Sequence, residues 1–213
     1  MQDADLQAAT ASEPLSMTEE YDMRRSWRTD NDKLTFIVCQ SREPESASQT
    51  VRGSQDDRPE RMIGDINLFL FEPEVEDDDE DDSGAQAPNS TNPSNALVGE
   101  IELMIARKDL HRQGYGRAAL LSFTAYTLDT WTQIAAEYSS AGDQTARSLQ
   151  YLRVKINQSN ERSIALFQSI GFVQTPAGAN YFGEVELRWQ PNRSELETRK
   201  GWEETQLLEY VEK

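Results

Sequence analysis

The chain has one cysteine, one histidine and no apolar run of membrane-spanning length. Cys39 alone cannot close an internal disulfide, and with His111 as the single histidine no Cys/His zinc cluster can be built, so no metal site is expected. Neither a Ser-His-Asp nor a Cys-His catalytic arrangement has support. Every apolar stretch is shorter than the roughly 18 residues that cross a bilayer. The N-terminal residues carry acids instead of the basic start of a secretory signal. These absences predict a soluble, intracellular, cytoplasmic protein in which Cys39, set in an apolar strand, is a core residue.

Basic residues are also scarce, with 21 Lys and Arg against 38 Asp and Glu and a formal net charge of −17. Residues 72–82 hold nine of those acids and no base, and without that run the charge falls to −8. The body is moderately acidic. Nucleic acid and anionic membranes are bound by clustered Lys and Arg that release counterions, so neither is expected as a partner.

What is present alternates between strand and helix. Ser16 followed by Glu19 predicts a capping box and a helix over 17–28, with Tyr21 and Trp27 free to pack. Strands are predicted at Lys33–Cys39, Met62–Phe71, 98–105, 151–156 and 181–189, and helices at 114–136 and 160–169, the second stopped by Gly171. In 98–105, Glu100, Glu102 and Met104 share one face while Ile101, Leu103 and Ile105 share the other. The stretches near 41–60 and 72–97 are too polar to offset an ordering cost of roughly 1–2 kcal/mol per residue and are read as mobile loops. The outcome is a single mixed α/β domain over 1–190, followed by a polar tail over 191–213 with a helix near 202–211.

The segment His111-Arg112-Gln113-Gly114-Tyr115-Gly116-Arg117 follows a strand and opens a helix. Glycines there allow close approach of a ligand, and the first helical turn offers unpaired N–H groups at the positive end of the dipole. Such a turn also serves as a plain tight connection. It is not a Walker loop, and the dinucleotide pattern lacks its third glycine.

Some 44 residues after Gly116 come Asn160, Ser163, Leu166, Phe167, Ile170, Gly171 and Phe172. Strand, anion loop, helix, strand and Asn-led helix ending in Gly-Phe resemble the acetyl-CoA-binding half of the GNAT acetyltransferases. Further segments, T-A-S-E-P-L at 10–15, Ser26-Trp27, T-F-I-V at 35–38, I-G-D-I-N-L-F-L at 63–70, G-E-I-E-L-M-I-A at 99–106 and E-V-E-L-R at 184–188, resemble the branch of that family that acetylates tubulin N-termini. The resemblance implies the GNAT fold, a mixed, mostly antiparallel sheet flanked by helices, and acetyl-CoA as co-substrate. It further implies His111 to Arg117 around the pyrophosphate, Met104 and Ile105 pairing with pantetheine, and Asn160 and Phe167 on its other side. The acceptor implied is a protein N-terminus, that of tubulin. Asn160 also reads as a simple helix cap, and the two roles coexist.

Three positions depart from the family pattern. His111 stands where Arg or Gln often begins the phosphate loop. Phe167 stands where many members carry a tyrosine acid for the departing thiolate. The chain starts only nine residues before its T-A-S-E-P-L segment, so the first strand and helix usual in the family are expected to be missing.

Amine attack on a thioester needs a neutral amine and a tolerable leaving group. Glu100, fourteen residues before Gly114, is the first candidate base by resemblance, and Glu102, one pleat along, the second; both also read as solvent-facing or paired strand acids. An α-amine titrates near ~7.8 and a lysine near ~10.4, so deprotonating the lysine costs roughly 3.5 kcal/mol more at neutral pH. A thiol with a pKa near ~8.5 leaves as thiolate at a cost of only about 2 kcal/mol, so the absent tyrosine is survivable. Both magnitudes favour N-terminal amines. The alternatives are a non-catalytic GNAT-like module binding acetyl-CoA or a protein, and a lysine or small-amine acetyltransferase of the same fold.

Overall fold

In the computed structural model, residues 15–40, 50–73, 95–139 and 146–212 are described. Helix α1 (Met17–Trp27) begins where its capping box dictates: the Ser16 side chain accepts from the Glu19 N–H while Glu19 Oε2 accepts from the Ser16 N–H at 2.8 Å. None of its residues is buried, and Tyr21 is exposed, not packed.

Among the described residues eight strands follow in chain order: β1 (Lys33–Cys39), β2 (Thr50–Arg52), β3 (Met62–Phe71), β4 (Ala96–Ile105), β5 (Ser148–Asn157), β6 (Val173–Ala179), β7 (Glu184–Trp189) and β8 (Glu209–Val211). Six form one sheet in the order β1-β3-β4-β5-β7-β6, antiparallel at every pairing except the parallel β4–β5. Helices α2 (Tyr115–Asp129) and α3 (Trp131–Tyr138) lie in the crossover between those two parallel strands, and α4 (Glu161–Gln168) and α5 (Arg193–Glu197) follow.

Strand alternation divides the sheet chemically. Ile66, Leu68 and Leu70 of β3, Ile101 of β4, Leu152, Val154 and Ile156 of β5 and Val185, Leu187 and Trp189 of β7 join Leu120, Leu121 and Phe123 of α2 and Phe167 of α4 in one core. Burying each such side chain contributes about 1.5–3 kcal/mol. The opposite face is polar: Asp65, Asn67, Glu100, Glu102, Arg153, Lys155, Glu184 and Glu186 alternate with those core residues.

Several expectations change. The helix predicted over 114–136 is two helices meeting at Thr130. The hydroxyls of Thr124, Thr127 and Thr130 donate to carbonyls four residues back at 2.8, 2.9 and 2.7 Å, a pattern that competes with the helical ladder and bends it. Within the stretch read as a loop near 41–60, residues 50–52 form β2, paired in parallel with β8; in 72–97, residues 96 and 97 already belong to β4. Residues 41–49 and 74–94 of those two stretches lie outside the described residues. The tail carries its helix earlier than predicted, at α5, capped by Asn192 accepting from the Glu195 N–H at 2.9 Å, and places strand β8 where a helix over 202–211 was predicted. Apart from Leu15, the segment at 10–15 on which the expectation of a missing first strand and helix rests lies outside the described residues.

β3 and β4 approach closely at Gly64, opposite Ile105, where an added Cβ would lie 1.9 Å from the Met104 carbonyl oxygen. Gly64→Ala is therefore expected to lower stability by about 1–3 kcal/mol or more, since the backbone must move to accept it. Thermal denaturation checks this; an unchanged midpoint would show that the two strands have slack.

Candidate active site

Strands β4 and β5 pair from Ala96↔Ser148 to Glu100↔Arg153 and no further, although β4 continues to Ile105 and β5 to Asn157. Residues 101–105 of β4 keep partners on β3, and residues 154–157 of β5 keep partners on β7. Two adjacent parallel strands thus part halfway along. The β4 edge facing the gap presents backbone N–H and C=O groups that an extended ligand can pair with.

On the apolar side of the sheet, the start of α2 stands over this gap. A Cβ at Gly116 would meet Leu166 of α4 at 3.4 Å and Leu103 and Ile105 of β4 at 3.8 and 3.9 Å. Gly114 is the N-cap with φ +92°, no side chain caps this end, and no acid occupies the first turn. Arg112 takes φ +64°, a left-handed conformation that costs a non-glycine residue energy and is found where a loop is held to a purpose. The free N–H groups and the helix dipole make this end suited to an anion.

The loop's side chains mostly brace it. His111 Nε2 lies 2.8 Å from the Ile105 carbonyl, which can only accept, so the proton is on Nε2. Gln113 donates to the Asp109 carbonyl at 2.8 Å, and the Tyr115 hydroxyl accepts from Gln40 at 3.3 Å. Arg117 donates to the Ser169 hydroxyl and, at 3.4 Å, to the Lys200 carbonyl. Arg112 is exposed, and Met104 and Ile105 are half-buried at the end of β4. Asn160 caps α4, its Oδ1 accepting from the Ser163 N–H at 3.2 Å. Phe167 is 3% exposed and meets Phe172 edge-on with centroids 5.0 Å apart, so its ring belongs to the core. Cys39 is only half-buried, where a core position was expected.

On the polar side the two candidate bases stand in different surroundings. Glu100 ends the paired stretch of β4, and its Oε2 lies 2.7 Å from Arg153 Nε and 3.5 Å from Lys155 Nζ. Its side chain is 15% exposed and that of Arg153 8%. Arg153 also reaches Glu186 at 3.9 Å and stacks on Phe71 at 5.0 Å. Glu102, one pleat on, faces the gap with no such partner among the described residues. The residue as a whole is exposed, although the surrounding sheet takes part of the hydration of its carboxyl. Lost hydration first, then the charges of Glu100, Asp65 and Glu184, hold its carboxyl above the usual carboxylate range, while Lys33 pulls the other way. Burial likewise raises Asp65, with the Asn67 side chain opposing. The arrangement can do two things: hold an anion and an extended arm at the gap, and take a proton beside it. Arg153, Lys155, Asp65 and Asn67 were not singled out from sequence; the signal was charged and polar residues at alternate positions of R-V-K and D-I-N within otherwise apolar strands.

Residues 1–173 match the family model described as acetyltransferase (GNAT) domain. The chain belongs to the GNAT acetyltransferases. It is therefore an acetyltransferase, and acetyl-CoA is its acyl donor. It is 38% identical over 192 residues to the N-acetyltransferase 9-like protein of Schizosaccharomyces pombe, covering 88% of this chain and 83% of that one. It is 32% identical over 195 residues to the alpha/beta-tubulin-N-acetyltransferase 9 of Homo sapiens, covering 92% and 73%. Among solved structures, the aminoglycoside acetyltransferase AAC(6')-Ib in complex with coenzyme A matches with a TM-score of 0.52 at 12% identity over 92% of this chain and 86% of that one, a likeness of fold. The mixed, mostly antiparallel sheet flanked by helices is the GNAT fold.

Gly116→Glu tests the anion end. The position has helical dihedrals and only flexible side-chain ends nearby, so the fold should survive, while a carboxylate enters the space before the α2 N–H groups. Acetyl-CoA affinity measured by calorimetry is expected to fall at least tenfold, about 1.4 kcal/mol. Unchanged affinity in a folded variant would remove the loop from the binding site.

Proposed function

We propose that the chain acetylates the N-terminal amine of a protein, with tubulin as acceptor, and that Glu102 is the proton acceptor. The observation that carries the catalytic part is the contrast on β4: Glu100 is held by Arg153 and Lys155, while Glu102 faces the gap with a carboxyl held above its ordinary range. Such a carboxyl is better matched to accepting a proton near neutrality than an ordinary one. The acceptor rests on the relatives, since the human, fly and mouse proteins of 32, 34 and 33% identity carry the name alpha/beta-tubulin-N-acetyltransferase 9. A tubulin acceptor implies a cytoplasmic enzyme.

In this reading the N–H groups of Gly114 to Arg117 hold the pyrophosphate, with Arg112 supplying positive charge beside it. The bare edge of β4 at Met104 and Ile105 pairs with the amides of the pantetheine arm. His111 and Gln113 fix the loop, Tyr115 ties it to β1 through Gln40, and Asn160 holds the start of α4 on the other side. Acetyl-CoA supplies an activated thioester. Glu102 takes a proton from the acceptor ammonium, the freed lone pair attacks the thioester carbon, and the C–N bond forms as the C–S bond breaks. The thiolate leaves with that electron pair, and the second proton, shed by the acylated nitrogen, goes to the thiolate or to water. Phe167, without a hydroxyl and buried, supplies no proton, which a thiol pKa near ~8.5 tolerates.

Glu102→Gln is expected to lower kcat by ~10² to 10⁴, with acetyl-CoA affinity little changed. In the unmodified enzyme kcat/KM should fall as pH drops through a pKa above the ordinary carboxylate range, because the raised Glu102 must be ionised to act; that limb should vanish in the variant. Glu100→Gln should act on stability, because it strips a buried Arg153 of its nearest anion at a cost of about 1–3 kcal/mol. Each kcal/mol lowers the midpoint by roughly 2–4 °C for a chain of this size. Steady-state kinetics on a lysine-free peptide with a free N-terminus, beside thermal denaturation, separate the two. A dead, stable Glu100→Gln with an active Glu102→Gln would return the role to Glu100.

A further inference from the structure

The two acids of β4 do not stand alone on the polar face. In the β3–β4 register Asn67 is directly opposite Glu102 and Asp65 is opposite Met104, so both β3 side chains lie on the face that carries Glu102. Directly opposed residues bring their Cβ atoms to about 4.5–5.5 Å and diagonal ones to about 7–8 Å, within reach of one small polar group. The Asn67 side chain hydrogen-bonds the Asp65 carboxyl, and this leaves two acceptors over: Asn67 is 5% exposed, yet its Oδ1 has no hydrogen-bond partner, and the buried Oδ1 of Asp65 has none. Polar atoms at that depth are ordinarily paired. Both are acceptors, and the carboxylate between them and the gap is a third. A group that brings donors and positive charge would satisfy the two buried oxygens and pair with the Glu102 carboxylate, which is otherwise hydrated.

Among the described residues, the cations nearest this face make their closest ion pairs with other acids. Arg153 and Lys155 are drawn to Glu100, and Lys33 lies 3.2 Å from Asp30. Among the described residues neither Asp65 nor Glu102 has an ion-pair partner. A primary ammonium has three N–H donors and a single positive charge. We propose that Asp65 and Asn67 of β3, with Glu102 of β4, form a cradle of oxygen acceptors that binds the acceptor's primary ammonium before its proton is removed. Asp65 and Asn67 are then positioning and specificity residues: they hold the amine at Glu102 and favour a protonated amine over a neutral or blocked group. The acetyl-transfer reading enters only in the role given to Glu102.

The test uses the full chain with acetyl-CoA and three acceptors: a lysine-free peptide with a free N-terminus, an N-blocked peptide with one internal lysine, and spermidine. Asp65→Asn removes a charge at constant size, and Asn67→Ser shortens the amide; circular dichroism and acetyl-CoA affinity confirm that each is folded. Each variant is expected to raise KM for the accepted amine at least tenfold, with kcat within about threefold and the KM for acetyl-CoA unchanged. A des-amino version of the peptide should inhibit unmodified enzyme and variants equally. A merely structural role would disturb acetyl-CoA and des-amino peptide binding as well. Unchanged KM in folded variants, or a fall in kcat alone, overturns the cradle while leaving the N-terminal reading intact. If the unmodified enzyme accepts lysine or spermidine but not the free N-terminus, and the variants raise that acceptor's KM, the cradle stands and the N-terminal reading falls. Turnover of none of the three overturns both.

Discussion

The last rung between β4 and β5 is closed by an ion pair, Glu100 with Arg153, and beyond it the two parallel strands separate. The residues of the proposed site are arranged around that separation. Had the pairing continued to Ile105, the β4 edge would be consumed by hydrogen bonds to β5 and no ligand could lie along it. A charge pair with side chains 15% and 8% exposed is costly to bury and strongly destabilising to break from one side. Glu186 and Phe71 around Arg153 help to offset that cost and fix the guanidinium at the apex.

The sheet then sorts the chemistry by face. On the apolar side, α2 and α4 pack on β4 and β5 and bring the uncapped N-terminus of α2 to the mouth of the gap. On the polar side, Glu102, Asp65 and Asn67 line up across two antiparallel strands. In the proposed reaction, donor and acceptor approach from opposite faces and meet between the strands. Period-two alternation achieves this, because Leu103 and Ile105 under Gly116 and Glu102 and Met104 on the reverse side belong to one strand.

Much of this was legible in the residues. The Ser16–Glu19 spacing located α1, and the run from His111 to Arg117 located the start of α2. The alternation of 98–105 located the acidic face. These signals are local: a cap, a turn and a pleat each depend on neighbours within a few residues. What was not legible depends on distant partners. Choosing between Glu100 and Glu102 requires Arg153 and Lys155, more than fifty residues later, and the register that sets Arg153 against the first and not the second. Asp65 and Asn67 could not be joined to Glu102 without the β3–β4 register. The β2–β8 pair links residues more than 150 apart in two polar stretches with little periodicity. β6, with Pro176 and Gly178 and mostly exposed, carries no strand pattern of its own. The break at Thr130 arises from three threonine hydroxyls, whose effect on the ladder depends on rotamers that composition does not reveal.

The central claim is that acetyl-CoA lies in the gap between β4 and β5. Backbone amide hydrogen exchange, with and without acetyl-CoA, tests it most directly. Binding should slow exchange at Gly114 to Arg117 and at those amides of residues 101–105 that point toward β5, while amides of residues 96–100, already paired with β5, should change little. Protection confined to other elements, with residues 101–105 exchanging as before, would contradict the account.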